Sequence, residues 1–203
     1  MNNTQCLVLA GLLSLPFTLA AESDPHAHHR QQMQSKPAPA SLASVQLPDN
    51  LLLDQHGAEV SLKKDVIGGR IAVVSFAYTT CTTVCPVVSA IFSQVNKRLG
   101  DMMGKEVVLV TITVDPNRDT PQRLLNYSQK FAAGKGWSWL TGKQEDVIAA
   151  LNAFGAYTVN FEDHPAMILI GDAVQNRWYR HYGFSSPEDI EHQVHELLQS
   201  RKK

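Results

Sequence analysis

Cysteine is scarce in this chain. Three occur among 203 residues, which excludes the densely bridged scaffolds that replace a hydrophobic core with disulfides. Charge of one sign is missing too. Eighteen Lys and Arg against 19 Asp and Glu leave a net charge of -1, without the basic footprint that a phosphate backbone demands. The only extended apolar run outside strand-like segments, Leu7 to Ala21, is short of the roughly 20 residues that cross a bilayer and contains Pro16. What is present, 44% hydrophobic residues, suffices for one ordinary domain with a real core and not for two.

The Leu7 to Ala21 run follows Met1-Asn-Asn-Thr-Gln-Cys6 and closes in small residues, Thr18-Leu-Ala20-Ala21, before Glu22. Residues 1–21 therefore read as a secretory signal peptide, with a short uncleaved membrane anchor as the competing reading because the start carries no Lys or Arg. Cys6 has no Leu-x-x-Cys lipidation context and leaves with the leader. The exported protein then keeps Cys81 and Cys85 alone, in an oxidising compartment such as a periplasm. Residues 22–44 are polar and rich in Pro, Gln, Ser and His, the composition of a flexible tether. Within them His26-Ala-His28-His29, with Met33 close behind, has the imidazole density of a weak Cu(II), Ni(II) or Zn(II) binder; the plainer reading is a solvated tail.

Residues 45–203 carry the pattern of an α/β domain. Leu51-Leu-Leu53 and Val60-Ser-Leu62 flank the turn residues Asp54 to Gly57 and read as an N-terminal β-hairpin. Ile71 to Tyr78 and Val107 to Val114 are continuous, β-branched apolar runs, as expected of strands covered on both faces. Between them Val87, Val88, Ile91, Val95 and Leu99 recur at helical spacing, stopped by Gly100. Thr120 and Pro121 cap a second helix, Trp137 to Leu140 reads as a strand, and Gln144 to Phe154 as a helix. Ala166 to Ile170 pairs with Arg177 to Tyr182 across a turn, and Pro187 opens a last helix. The order β-α-β-α-β-β-α, with a thiol pair at the first strand-to-helix turn, is the thioredoxin-like arrangement: a central mixed sheet flanked by helices.

The chemistry centres on Thr80-Cys81-Thr-Thr-Val-Cys85-Pro86. A helix N-terminus presents unpaired N–H groups and the positive end of the dipole, which acidify a cysteine placed there. Cys-x-x-x-Cys is one residue longer than the spacing of dithiol-exchange motifs, leaving room for a soft ion such as Cu(I) between the sulfurs. A redox-active pair without metal, or a structural disulfide, uses the same two residues. A third ligand would finish a trigonal metal site, and His164 is the candidate, because its loop enters a strand that in a thioredoxin-like fold faces the cysteines. Asp163 beside it could orient the ring; the alternative is an exposed turn histidine. His192 and His195 read as surface side chains of the last helix. A peroxidase of the peroxiredoxin kind needs Pro-x-x-x-Thr-x-x-Cys, and neither cysteine has it.

These motifs, together with Thr113-Val-Asp115-Pro-x-Arg118-Asp-Thr-Pro121 and Asp163-His164 before an apolar strand, resemble the Sco/SenC proteins over roughly Val45 to Leu198. The resemblance implies a thioredoxin-fold copper chaperone for the CuA centre of cytochrome c oxidase, with Cys81, Cys85 and His164 as copper ligands. Implied partners are an oxidase subunit or other cuproprotein, and a thioredoxin-like reductant. Thr82 stands where members commonly have Pro, and Pro165 follows His164; both bear on affinity and redox bias. The Asp115 to Pro121 stretch is expected to serve as a turn and helix cap with an Arg118 to Asp ion pair. Thiol-disulfide exchange that keeps partner cysteines reduced is the alternative function.

Overall fold

The computed structural model describes residues 40–202. The leader, most of the tether and the His26 to His29 tract lie outside the described residues. Strand β4 (Ile71–Ala77) and strand β5 (Val107–Thr113) are buried at every position and pair in parallel from Ile71↔Val107 to Ala77↔Thr113. Their unbroken apolar character follows from having helices on both sides. β6 (Trp137–Thr141) continues in parallel beside β5, while β7 (Met167–Asp172) lies antiparallel to β4 and β8 (Arg177–Tyr182) antiparallel to β7. β1 (Ser41–Ala43) closes one edge, and the hairpin of β2 (Leu51–Asp54) and β3 (Glu59–Ser61) closes the other, giving the order β1-β8-β7-β4-β5-β6-β2-β3.

Alternate strand residues serve two cores, as the two-residue period of a strand requires. Ile71, Val73 and Leu109 pack under helices α1 (Val84–Leu99), α2 (Pro121–Gln129) and α4 (Pro187–Ser200) through Phe92, Leu124 and Val194. Val74, Phe76 and Ile112 pack on the other face against α3 (Gln144–Ala153) and the π-helical turn Leu62–Ile67. Among the described residues no helix is long and apolar enough to cross a membrane.

Some boundaries differ from the sequence reading: Leu62, expected in the hairpin, opens the π-helical turn, and Tyr78, Val114 and Ala166 fall just outside their strands. Ser41–Ala43, expected in the tether, form a strand on β8; Leu42 is 74% exposed, so backbone pairing rather than side-chain burial holds it, and no apolar pattern announces it. Helix α1 starts at Val84, earlier than its apolar spacing indicates, which places Cys85 and Pro86 inside its first turn. Pro86 is tolerated there because its missing N–H would have had no intrahelical acceptor.

The C-terminal end of α4 is clasped to the sheet. Arg201 donates from Nε to Asp172 Oδ2 at 2.6 Å, from Nη2 to Oδ1 at 2.7 Å and from Nη1 to the Gly69 carbonyl at 2.7 Å. Asp172, fully buried at the end of β7, also accepts from the Val174 N–H at 2.8 Å.

Candidate functional site: a dithiol at the start of helix α1

Beyond Ala77 the chain leaves β4 and turns, the Cys81 N–H donating to the Tyr78 carbonyl at 3.1 Å. Thr83, the N-cap residue of α1, makes no side-chain capping bond, and the first turn contains no acidic side chain. The cap is supplied by sulfur instead: the Cys85 N–H donates to Cys81 Sγ at 3.3 Å. Both cysteines are free thiols and both are buried, with 7% and 6% exposure for Cys81 and Cys85. Burial accounts for their place in the core packed beneath α1, and their hydrogen bonds to each other account for their chemistry.

Hydrogen bonding from the Cys85 side chain, joined by the N–H groups of Cys85 and Thr83, outweighs burial and draws the Cys81 thiol down to about 5. The same shared hydrogen bond, then burial and the Cys81 charge, pushes Cys85 well above the ordinary thiol range. The pair thus holds one proton near neutrality, with Cys81 as thiolate and Cys85 as thiol. Burial, and then the charge of the cysteines, raises the hydroxyls of Tyr78 and Tyr127, so both remain protonated beside the pair. In the reduced protein, iodoacetamide alkylation of Cys81 should follow a single titration centred near pH 5, since the thiolate is the reacting form. Mass spectrometry of protein labelled at pH 7 should find the label on Cys81 before Cys85; the reverse order would refute the assignment.

His164 follows the 3-10 turn Phe161–Asp163 and donates its N–H to the Phe161 carbonyl at 3.2 Å. It is buried, at 8% exposure, with its ring 5.5 Å from that of Phe76, and so is not an exposed turn histidine. The antiparallel register Ser75↔Ile168 puts it beyond the C-terminal end of β4, the same sheet edge from which Cys81 departs. Phe76, however, packs in the core on the α3 face, whereas the cysteines belong to the core under α1. Tyr78 packs against both cores, its ring edge-on to Phe161 at 5.0 Å between centroids. Among the described residues no three His, Cys, Asp or Glu side chains are gathered closely enough to hold a metal ion. The structure brings Cys81 and Cys85 together and places His164 at the same edge without completing a three-ligand cluster. Asp163 accepts from Asn160 Nδ2 at 3.2 Å.

Of the Asp115 to Pro121 stretch, the cap and the ion pair are as expected: Thr120 Oγ1 accepts from the Arg123 N–H, Pro121 opens α2, and Arg118 Nε lies 3.8 Å from Asp115 Oδ2. Asp119 was not anticipated. Its carboxylate, 1% exposed, accepts from the Thr79 N–H and hydroxyl and from the Thr113 hydroxyl. It thereby braces the loop that carries Cys81. In the sequence an acid inside a turn motif looks like any solvated turn residue, and only its inward orientation sets it apart.

The SCO1/SenC family model matches residues 44–199. A putative copper-binding protein of Stutzerimonas stutzeri is 31% identical over 109 residues, covering 54% of this chain and 52% of that protein. The matches span about half the length of such curated relatives. Among solved structures, a SCO1/SenC family lipoprotein from Bacillus anthracis superimposes with a TM-score of 0.65 at 25% identity, covering 78% of this chain and 98% of that one. Bradyrhizobium japonicum ScoI with copper bound superimposes at 0.59 with 26% identity, covering 79% and 99% of the two chains. With the family model matched across nearly the whole described domain and the thioredoxin-like architecture shared with solved members, the chain belongs to the SCO1/SenC family.

Proposed function

We propose that this chain is an exported copper-binding protein that delivers copper to a respiratory cuproprotein, the CuA site of cytochrome c oxidase, using Cys81, Cys85 and His164. Residues 1–21 serve as the leader, 22–44 as a tether ending in the β1 edge strand, and 45–203 as the copper-binding domain. The observation that carries the reading is the reduced dithiol, with Cys81 Sγ held on the Cys85 N–H at 3.3 Å, in a family whose relatives include a protein named for copper binding.

The chemistry of the donor set suits the cargo. Thiolates are soft ligands that favour Cu(I) over hard cations. Cys81 is already the thiolate, and Cys85 gives up its proton when the ion arrives, so uptake releases a proton. Transfer then requires only that a partner's ligands replace these in turn, with Cys85 regaining the proton. His164 supplies a neutral nitrogen from a different loop, which makes it the ligand most readily exchanged. In a Cu(I) competition titration His164→Ala should weaken binding by at least the roughly tenfold that is lost when a group hydrogen-bonded to a metal ligand is removed. Undiminished affinity would remove His164 from the site.

The thiolate-thiol asymmetry also favours a second reading, a thiol-disulfide oxidoreductase that keeps a partner's cysteines reduced. Cys81 would attack and Cys85 would resolve. A mixed disulfide trapped on Cys81 in Cys85→Ser, without copper affinity in the parent protein, is the mark of that activity.

A further inference from the structure

A carboxylate taken out of water costs several kcal/mol unless its environment compensates, and the usual compensation is a cation. Asp119 is 1% exposed, and among the described residues no Lys, Arg or His pairs with it. Arg118, its neighbour in sequence, turns to Asp115. Compensation comes instead from charge-assisted hydrogen bonds: the Thr79 N–H at 3.1 Å, the Thr79 hydroxyl at 2.5 Å and the Thr113 hydroxyl at 2.6 Å. The Thr113 hydroxyl donates to Asp119 while its oxygen accepts from the Asp115 N–H at 3.0 Å.

These bonds lie where the sheet gives out. The β4–β5 ladder runs to Ala77↔Thr113, with one further bond from the Val114 N–H to the Ala77 carbonyl at 2.9 Å. Past that point nothing in the ladder holds the chain leading to Cys81, and Thr79 stands two residues before it. Asp119 therefore extends the tie to β5 beyond the end of the ladder. Cys85, by contrast, rides on α1. The two sulfurs belong to elements anchored separately, and the Asp119 clamp fixes one of them.

We infer that Asp119 is a positioning residue of the dithiol, holding the Cys81 loop against the start of α1 and so setting how readily the two sulfurs join. The inference rests on Cys81 and Cys85 being the working pair and does not depend on copper. In exchange with oxidised dithiothreitol, the Cys81–Cys85 S–S bond forms as the pair gives up two electrons and, at pH 7, the one proton it holds. The reagent's cyclic disulfide breaks and takes up the electrons, that proton and one from solvent to become the dithiol. The equilibrium constant measures the effective concentration of one thiol at the other, which falls when the loop is free to wander.

The experiment is that equilibrium, measured at pH 7 on the full chain with Cys6→Ser, in Asp119→Asn and in Arg201→Ala, with the 81–85 disulfide quantified by mass spectrometry. Arg201→Ala cuts a tie elsewhere in the fold and controls for general destabilisation. Asp119→Asn should lower the constant by about tenfold or more, while Arg201→Ala leaves it within about twofold. A constant in Asp119→Asn equal to the parent's, or an equal fall in both variants, overturns the inference. Should Asp119→Asn fail to fold, Thr79→Val and Thr113→Val, each removing one donor to the clamp, decide the matter: a fall of about threefold or more in each supports it, and no change in either refutes it. No metal enters, so a failure of the copper reading leaves this result intact.

Discussion

Cys81→Ser is expected to abolish tight Cu(I) binding while leaving the fold in place. The loss should exceed the roughly 10–100-fold that changes outside the ligand set produce, because it removes the sulfur that is already ionised in the reduced protein. Serine offers copper a hard, protonated oxygen in place of a thiolate. It still presents an acceptor near the Cys85 N–H, where Cys81 Sγ now sits at 3.3 Å. The start of α1 therefore keeps a capping partner, and the stability change should stay within about 1 kcal/mol. Cys85→Ser should lose tight binding as well, because one of the two sulfur ligands becomes a hard, protonated oxygen. Equilibrium denaturation beside the Cu(I) titration separates the two effects. Retained Cu(I) affinity in either variant would refute a dithiolate site.

The largest effect on stability should come from the other end of the molecule. Arg201→Ala leaves Asp172, which has no exposed surface, with its charge and without its cation. Breaking a buried pair from one side costs about 3–5 kcal/mol, and the lower end applies here because the Arg201 side chain is 26% exposed and partly screened. For a chain of this size about 3 kcal/mol corresponds to a fall in Tm of roughly 6–12 °C.

The effect has a definite pH dependence. Burial by itself would raise Asp172, but the Arg201 guanidinium and the turn N–H groups of Gln175 and Val174 outweigh it and hold the carboxyl below its usual value of 3.8. A folded pKa below the unfolded one stabilises the protein fully above the unfolded value, and that stability is lost as pH falls through the depressed folded value. The difference between parent and Arg201→Ala in urea denaturation should therefore be largest at neutral pH and shrink on acidification, first as the unpaired Asp172 of the variant takes up a proton and then, below 3.8, as the parent's does. A difference that grows on acidification would mean that Arg201 does not hold the Asp172 carboxyl down.

Legibility in the sequence followed the physics of each element. β4 and β5 could be read because burial on both faces leaves an unbroken apolar run, and the helix after Cys85 because one face packs on the sheet. β1 could not, since its contribution is made by backbone groups that every residue possesses. The cysteines announced themselves by rarity and spacing. What spacing could not convey is that the proton is shared unequally, which depends on the Cys85 thiol and then its N–H both pointing at Cys81. His164 was legible as a residue and not as a position: its burial against Phe76, with Tyr78 packed against both cores, arises from contacts between segments far apart in the chain. Asp119 was hidden because only the fold distinguishes a buried acid bound to three donor groups from a solvated one.

On the reading proposed above, the dithiol at the start of α1 holds copper. Its most direct test is a Cu(I) competition titration of the reduced full chain, with His26, His28 and His29 changed to Ala so that the N-terminal tract cannot contribute. A single tight equivalent is expected, and it should disappear in Cys81→Ser. No tight binding, together with a disulfide that forms and reduces readily at the same cysteines, would contradict it and make thiol-disulfide exchange the function of the site.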